Sequence, residues 1–329
     1  MDRRNFCLGA GSALVLAPFA AARAADPFPT RPVRVISPYA AGGGPDVQLR
    51  QAGPVLGEAL GQSIVIENKV GAAGVLAAQY AAQQAPDGYT LLMGSNTHLI
   101  QKAMQPDLKF DPIADFAPVA NLATSPTVLV VRADAPWQKF DDLLAELKAK
   151  PGAMNYGSGG IGTSAHLAGA TMVSLAGLKV THIPLKGSVE IAASLLRGDT
   201  QFAFPVAGTG VPQVKGGKLR ALAVTSRKRL PQLPEVPTLH ELMGKNELAV
   251  QESWFGMWAP AKTSPDIIAT LYAAMRKTVG TPSVQAAFEA AGNEANLMGE
   301  SPQAFTAFVR SENRKWADVV KLTGVTTNS

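Results

Sequence analysis

Cysteine is almost missing from this 329-residue chain, and Cys7 is the only one. That excludes a disulfide framework and any metal site built on paired thiolates. Histidine is scarce as well: His98, His166, His182 and His240 show no pair at metal-ligand spacing, so no metal and no cofactor are expected. No apolar run reaches the roughly 20 residues of a membrane-spanning helix. Charge of one sign is lacking too, with 30 basic residues set against 25 acidic ones. The basic residues are dispersed, Arg227-Lys228-Arg229 being the only tight cluster, so no nucleic-acid partner is expected.

What is present starts with Asp2-Arg3-Arg4, an apolar stretch from Leu8 to Ala22 broken by Pro18, and the small-x-small triplet Ala22-Arg23-Ala24. A cleavable export signal is assembled in this way, and cleavage is expected after Ala24. Arg3-Arg4 followed by Asn5-Phe6-Cys7-Leu8 resembles a twin-arginine signal, the alternative being a chance Arg-Arg in a general secretory signal. Cys7 precedes the apolar stretch, so no processed cysteine remains to carry a lipid. The expected location is the periplasm. Arg3, Arg4 and Arg23 leave with the signal against Asp2, so 27 basic and 24 acidic residues remain.

The remaining chain of about 305 residues exceeds what one hydrophobic core organises, which predicts two lobes. Short β-branched runs alternate with longer Ala/Leu-rich stretches, the pattern of an α/β fold with mainly parallel sheets. Strands are expected at 32–37, 63–67 and 89–93, with helices at 45–60 and 72–84. A second series opens at Thr127-Val128-Leu129-Val130-Val131. It continues through a helix at 140–149, a strand at 154–156, a helix at 163–176, a strand at 179–184, a helix at 189–197 and strands at 201–204 and 219–225. The last segment, from Trp254 onward, adds helices without strands enough for a third sheet. Lobe 1 is therefore expected at 25–123 plus 253–329 and lobe 2 at 124–252, with a ligand cleft between them.

Two glycine-rich turns carry the candidate chemistry. The first runs Ser37-Pro38-Tyr39-Ala40-Ala41-Gly42-Gly43-Gly44-Pro45-Asp46 and the second Tyr156-Gly157-Ser158-Gly159-Gly160-Ile161-Gly162-Thr163-Ser164. Each follows a strand and opens a helix, so each is expected to present bare N–H groups at a positive helix end, a site for a carboxylate or phosphate. Candidate ligand residues are Tyr39, Ala41, Gly42, Gly43, Gly44 and Asp46 in the first turn. In the second they are Gly157, Ser158, Gly160, Ile161, Gly162 and Thr163, with His166 in the first turn of the following helix. Ser95, Asn96, Lys186, Ser188 and Phe204 are candidates for the walls. Tight strand-to-helix turning is the plainer role for the glycines, packing for His166, solvation for Lys186, and a favourable first-turn charge for Asp46.

Gly157, Gly159 and Gly162 satisfy G-x-G-x-x-G, but the following strand, Lys179-Val180-Thr181-His182-Ile183-Pro184, has no acid for a ribose hydroxyl. A dinucleotide site is thereby disfavoured. Ser158 is not in a G-x-S-x-G elbow, and no catalytic constellation is legible, so the chain is not expected to be an enzyme.

Longer segments narrow the reading. The first turn, Val65-Ile66-Glu67-Asn68-Lys69 with Gly71-Ala72-Ala73-Gly74, Pro86-Asp87-Gly88-Tyr89-Thr90-Leu91-Leu92, and the second turn with His166-Leu167-Ala168-Gly169 occur in that order. Lys186-Gly187, Gly217 to Thr225, Leu233 to Thr238, Trp254, Ala259-Pro260-Ala261 and Lys315-Trp316 follow. This ordered set resembles the tripartite tricarboxylate transporter receptor family, TctC-like proteins often called the Bug family. The resemblance implies a type II periplasmic-binding-protein fold whose two glycine turns grip a ligand carboxylate through main-chain donors and waters. It implies a small-carboxylate ligand, a membrane permease of the tripartite transporter as partner, and a monomer. A sensory receptor using the same closed form is the alternative, and an enzyme acting on a carboxylate a remoter one. Where the family has Pro-Phe-Pro-Pro-Gly-Gly, this chain has Pro38-Tyr39-Ala40-Ala41-Gly42-Gly43. Leu185 replaces a usual Tyr, and Gln201 a frequent acid, which favours plain or aromatic acids over amino acids.

Overall fold

The run Val33-Arg34-Val35-Ile36-Ser37 forms strand β1 (Val33–Ser37), with Val33, Val35 and Ile36 wholly buried. The computed structural model describes residues 28–187 and 189–327, so the segment 1–24 expected as an export signal and the candidate Ser188 lie outside the described residues. Helix α1 (Gly44–Leu60) starts with Pro45 in its first turn, where a missing N–H costs nothing, and stops at Gly61 in the left-handed region. Strand β2 (Ile64–Asn68), helix α2 (Val75–Ala82), strand β3 (Thr90–Ser95), helix α3 (Asn96–Met104) and strand β4 (Phe116–Pro126) complete the first passage.

The second series follows without interruption. It comprises β5 (Val128–Arg132), α4 (Phe140–Ala149), β6 (Asn155–Ser158), α5 (Ser164–Leu175), β7 (Thr181–Pro184), α6 (Val189–Arg197), β8 (Phe202–Ala203), α7 (Ala207–Lys215), β9 (Leu219–Val224) and the short α8 (Leu239–Leu242). The chain then returns through β10 (Glu252–Pro260), α9 (Pro265–Val279), α10 (Pro282–Ala290), β11 (Glu294–Ala295) and α11 (Pro302–Thr323). Ser264 and Ser301 cap α9 and α11 by accepting the N–H of Ile267 and Ala304.

Two sheets result, ordered β11-β4-β10-β3-β1-β2 and β7-β6-β8-β5-β9. The expectation of mainly parallel sheets is corrected here. β1 runs parallel to β2 and β3, and β6 to β7 and β8, but β10 is antiparallel to both β3 and β4, and β5 to β8 and β9. The reason is topological: β10 arrives from the other lobe rather than through a crossover helix. β4 is absent from the strands expected from the sequence; it holds Pro118 and Pro126, residues that disfavour a strand, yet it lies between β10 and β11.

Apolar layers cover both faces of the six-stranded sheet. Leu49, Leu56, Met93, Met257 and Phe288 pack on one side, and Ile36, Leu92, Trp258, Phe305 and Trp316 on the other. Each such side chain contributes about 1.5–3 kcal/mol on burial. Leu167 of α5 joins the second layer, so part of this core spans the two lobes. Where the chain passes between sheets, Thr127 donates its N–H to Thr225 Oγ1 at 2.8 Å and the Thr225 N–H bonds Thr127 O at 3.0 Å. Gln251 then bonds Thr225 O through its own N–H at 2.9 Å. These buried residues tie the outgoing and returning strands together.

Candidate ligand-binding site

A cavity of about 620 Å³ opens between the two lobes. Its walls come from the β1–α1, β3–α3 and β6–α5 junctions, the residues after β2, and the turn after β7. Most of these junctions carry a strand directly into a helix, so the cavity sees helix N-termini and their unpaired donors.

The second glycine turn forms one wall. Thr163 caps α5: its Oγ1 accepts the His166 N–H at 3.3 Å and donates to Gly160 O at 2.8 Å. The first intrahelical bond is Leu167 N–H to Thr163 O at 3.0 Å. The N–H groups of Ser164 and Ala165 therefore precede the helix ladder, and both residues line the cavity beside Gly160, Ile161 and Thr163. Beneath this wall, Gly162 donates its N–H to His166 Nδ1 at 3.0 Å and Ser158 Oγ lies 2.7 Å from His182 Nε2. Burial, with the neighbouring His182 second, pushes the His166 imidazole down to about 3. His166 is thus neutral and serves as an acceptor that shapes the turn.

The first glycine turn differs from expectation, because its three glycine N–H groups are engaged. Gly42 donates to Asp46 Oδ2 at 2.9 Å, Gly43 to Ala40 O at 3.1 Å, and Gly44 to Thr209 Oγ1 of the other lobe at 3.2 Å. Asp46 is fully buried and also accepts from Arg50 Nε at 2.8 Å and Asn68 Nδ2 at 2.6 Å. Burial raises its pKa, but the donors from Arg50, Asn68 and Gly42 outweigh it and hold the carboxyl below its ordinary range. Asp46 is the tie that folds the turn. From this segment Pro38, Tyr39, Ala40 and Pro45 reach the cavity. The Tyr39 hydroxyl donates to Ser95 Oγ at 2.9 Å, its ring meets Phe255 edge-on, and burial raises its pKa further, so it stays protonated.

Of the residues singled out from the sequence, Tyr39, Ser95, Gly160, Ile161, Thr163 and Lys186 line the cavity together. Ala41 and Gly42 are exposed and do not line it; Gly43, Gly44 and Asp46 are buried in the first segment, and Gly157, Ser158, Gly162 and His166 behind the second turn. Asn96 accepts a bond from Ser164 Oγ at 3.3 Å across the lobes, and Phe204 is buried in the core of the second lobe.

Sequence reasoning named Ser95 and Asn96 at the start of α3 but missed the α3 residues that follow, and it missed the residues after β2 as part of the site. Thr97, His98 and Gln101 line the cavity from α3, and Gln101 Nε2 donates to Ile161 O of the other lobe at 2.6 Å. A serine after a buried strand, Ser95-Asn96-Thr97-His98, was the available signal of a capped helix. Gly71, Ala72, Ala73 and Gly74 also line it, with four consecutive positive φ angles of 145°, 46°, 49° and 91°. Alanine in the left-handed region costs about 1–2 kcal/mol, a cost that surrounding structure must hold in place. Among the described residues, no aspartate or glutamate lines the cavity, and Lys186 is its one lysine or arginine.

Two α/β lobes joined by crossing strands, with helix N-termini around the cleft between them, define a type II periplasmic-binding-protein fold. Solved structures agree. BugD superposes with a TM-score of 0.85 at 29% identity, covering 91% of this chain and 99% of that one. The R. palustris protein Rpa4515 with adipate gives 0.85 at 31% identity over 91% and 99%. MatC from Rhodopseudomonas palustris with bound malate gives 0.83 at 29% over 89% and 100%. BugT of Bordetella pertussis is 33% identical over 316 residues, 95% of this chain and 96% of its own. Residues 48–325 match the tripartite tricarboxylate transporter family receptor, and the chain belongs to that family. Its relatives are periplasmic solute-binding receptors, and among the described residues no helix is long and apolar enough to cross a membrane.

Proposed function

We propose that this protein is exported, loses residues 1–24, and captures a small carboxylate in the periplasm for the membrane permease of a tripartite tricarboxylate transporter. A di- or tricarboxylate or an aromatic acid is the ligand class. The observation that carries this reading is a cleft whose donors, the Ser164 and Ala165 N–H groups at a helix start, face no lining acid. Lys186 adds one positive charge. An α-amino acid would bring an ammonium with no carboxylate to pair it, a costly burial. A charge-assisted hydrogen bond contributes about 1.5–3 kcal/mol and a helix end about 0.3–2, so a few contacts reach the roughly 8 kcal/mol of micromolar binding after ordering costs.

Binding rather than catalysis is the proposed task. Ser158 and His182 are within hydrogen-bond reach, but the Ser158 hydroxyl is buried, bonds Gly160 O within its own turn at 3.0 Å, and does not line the cavity. The proposed lobes are 25–123 plus 253–329 and 124–252, in a monomer that closes over its ligand. Calorimetric titration of the mature chain with adipate, malate, citrate, benzoate and aspartate tests the ligand class. Micromolar binding of at least one non-amino acid, and weaker binding of aspartate, is expected. Aspartate as the sole ligand, or none of the five, overturns it.

A further inference from the structure

His98 stands apart from both glycine turns. It lies in the first turn of α3, is fully buried, and lines the cavity. Nδ1 lies 3.1 Å from the Ser95 N and 3.3 Å from the Ser95 O; the closer N–H donates to it, which places the neutral ring's proton on Nε2. That Nε2 meets no acceptor at good hydrogen-bond geometry, and only the Gly74 backbone stands near enough to favour its proton. A buried donor left unmade is costly, and it persists where something else completes it. Around it are the rings of Phe110 and Trp258, Pro38, and Gly74 of the left-handed turn. A Cβ at position 74 would stand 3.2 Å from Nε2 and 3.2 Å from Pro38 Cβ, so glycine there lets the turn pack directly against the imidazole. Pro38 and Gly74 both line the cavity.

We infer that His98 and the strained 71–74 turn form a ligand subsite of their own, in which the Nε2–H donates to an oxygen of the bound acid. The inference rests on the carboxylate-receptor reading and deepens it: His98 reads whether the ligand carries an acceptor at this end of the cavity. The strain at Ala72 and Ala73 has a matching role. It holds the turn close to the imidazole, in a conformation the chain does not otherwise favour. Burial pushes the imidazole down to about 4, so the subsite acts as a neutral donor at periplasmic pH.

The test is calorimetric titration of wild type, His98→Phe and His98→Gln with adipate and with malate. His98→Phe keeps a ring but no donor and is expected to weaken the better of the two acids at least tenfold. His98→Gln, which restores an N–H, is expected to recover most of that loss. Wild-type affinity in His98→Phe for both acids overturns the subsite while leaving the receptor reading intact. If His98→Phe does not fold, the wild-type Nε2–H resonance decides. A shift on saturation with the acid supports the proposal, and an unmoved resonance ends it. Wild type that binds neither adipate nor malate overturns the subsite as stated, while the five-compound panel above still judges the receptor reading.

Discussion

His166 and His182 stack face to face, with ring centroids 3.7 Å apart and planes 9° from parallel. Tyr156 lies beside both, 6.2 and 4.9 Å away, and the group forms the floor under the second glycine turn. Only a neutral His166 can accept the Gly162 N–H. Replacing His166 by leucine leaves that N–H buried without a partner, which costs about 1–3 kcal/mol of stability and loosens the wall that holds Thr163. Asparagine, which can still accept, is expected to lose less. Urea unfolding of the two variants checks the order, and equal stability would show that the bond contributes nothing.

Acid should destabilise the protein well above the range where carboxylates titrate. The unfolded chain takes up protons at His98 and His166 near pH 6.5, whereas the folded protein resists to about 4 and about 3. Between those limits the unfolded state binds more protons, so stability falls as pH falls, by up to about 1.4 kcal/mol per pH unit for each histidine. Unfolding midpoints at pH 7.0, 5.5 and 4.5 should drop in sequence, with a shallower fall in His98→Gln. A parallel fall in that variant would assign the effect elsewhere.

Hydrogen bonds between the lobes include Gln101 to Ile161, Gly44 to Thr209, Ser164 to Asn96 and Gln232 to Glu289. A domain opening breaks them, so they favour the closed arrangement and a ligand that binds it. Gln101→Ala with Thr209→Val removes two, each worth about 1 kcal/mol. Affinity for the best carboxylate should fall about tenfold or more, and the radius of gyration without ligand should rise. Solution scattering identical to wild type, with unchanged affinity, would remove the closure argument.

The left-handed glycines of the two turns are not equivalent. A methyl at Gly162 would overlap the Gln101 carboxamide and Met104 as well as straining φ, whereas one at Gly42 meets nothing within 4 Å. Gly42→Ala is expected to cost only about 1–2 kcal/mol of stability. Gly162→Ala should cost more and also weaken binding, because it disturbs a bond across the cleft. Denaturation and titration of the pair distinguish the two effects.

Glu312, which does not line the cavity, accepts from Trp254 Nε1 at 2.9 Å and Trp316 Nε1 at 2.8 Å, both buried. Glu312→Leu strands two indole N–H groups and should destabilise the first lobe by about 3 kcal/mol while ligand affinity of the folded protein is unchanged. Thermal unfolding close to that of wild type would contradict it.

Strand–helix alternation, the glycine turns and the order of motifs were legible in the sequence because they depend on local patterns: β-branched runs, caps, and residues that accept positive φ. Tyr39, Ser95, Gly160, Ile161, Thr163 and Lys186 could be named from such patterns, and the fold brings all six to one cavity. Tertiary structure alone decided which of their neighbours face it. The Gly44 N–H is occupied by Thr209, 165 residues away, so no local rule could show that this donor is used. β4 survives two prolines because β10 and β11, returning late in the chain, pair with it. His98 looked like one more isolated histidine. Its significance comes from a bond to Ser95 that directs its remaining proton and from a turn after β2 that packs against its ring, the latter set by contact between distant segments rather than by spacing along the chain.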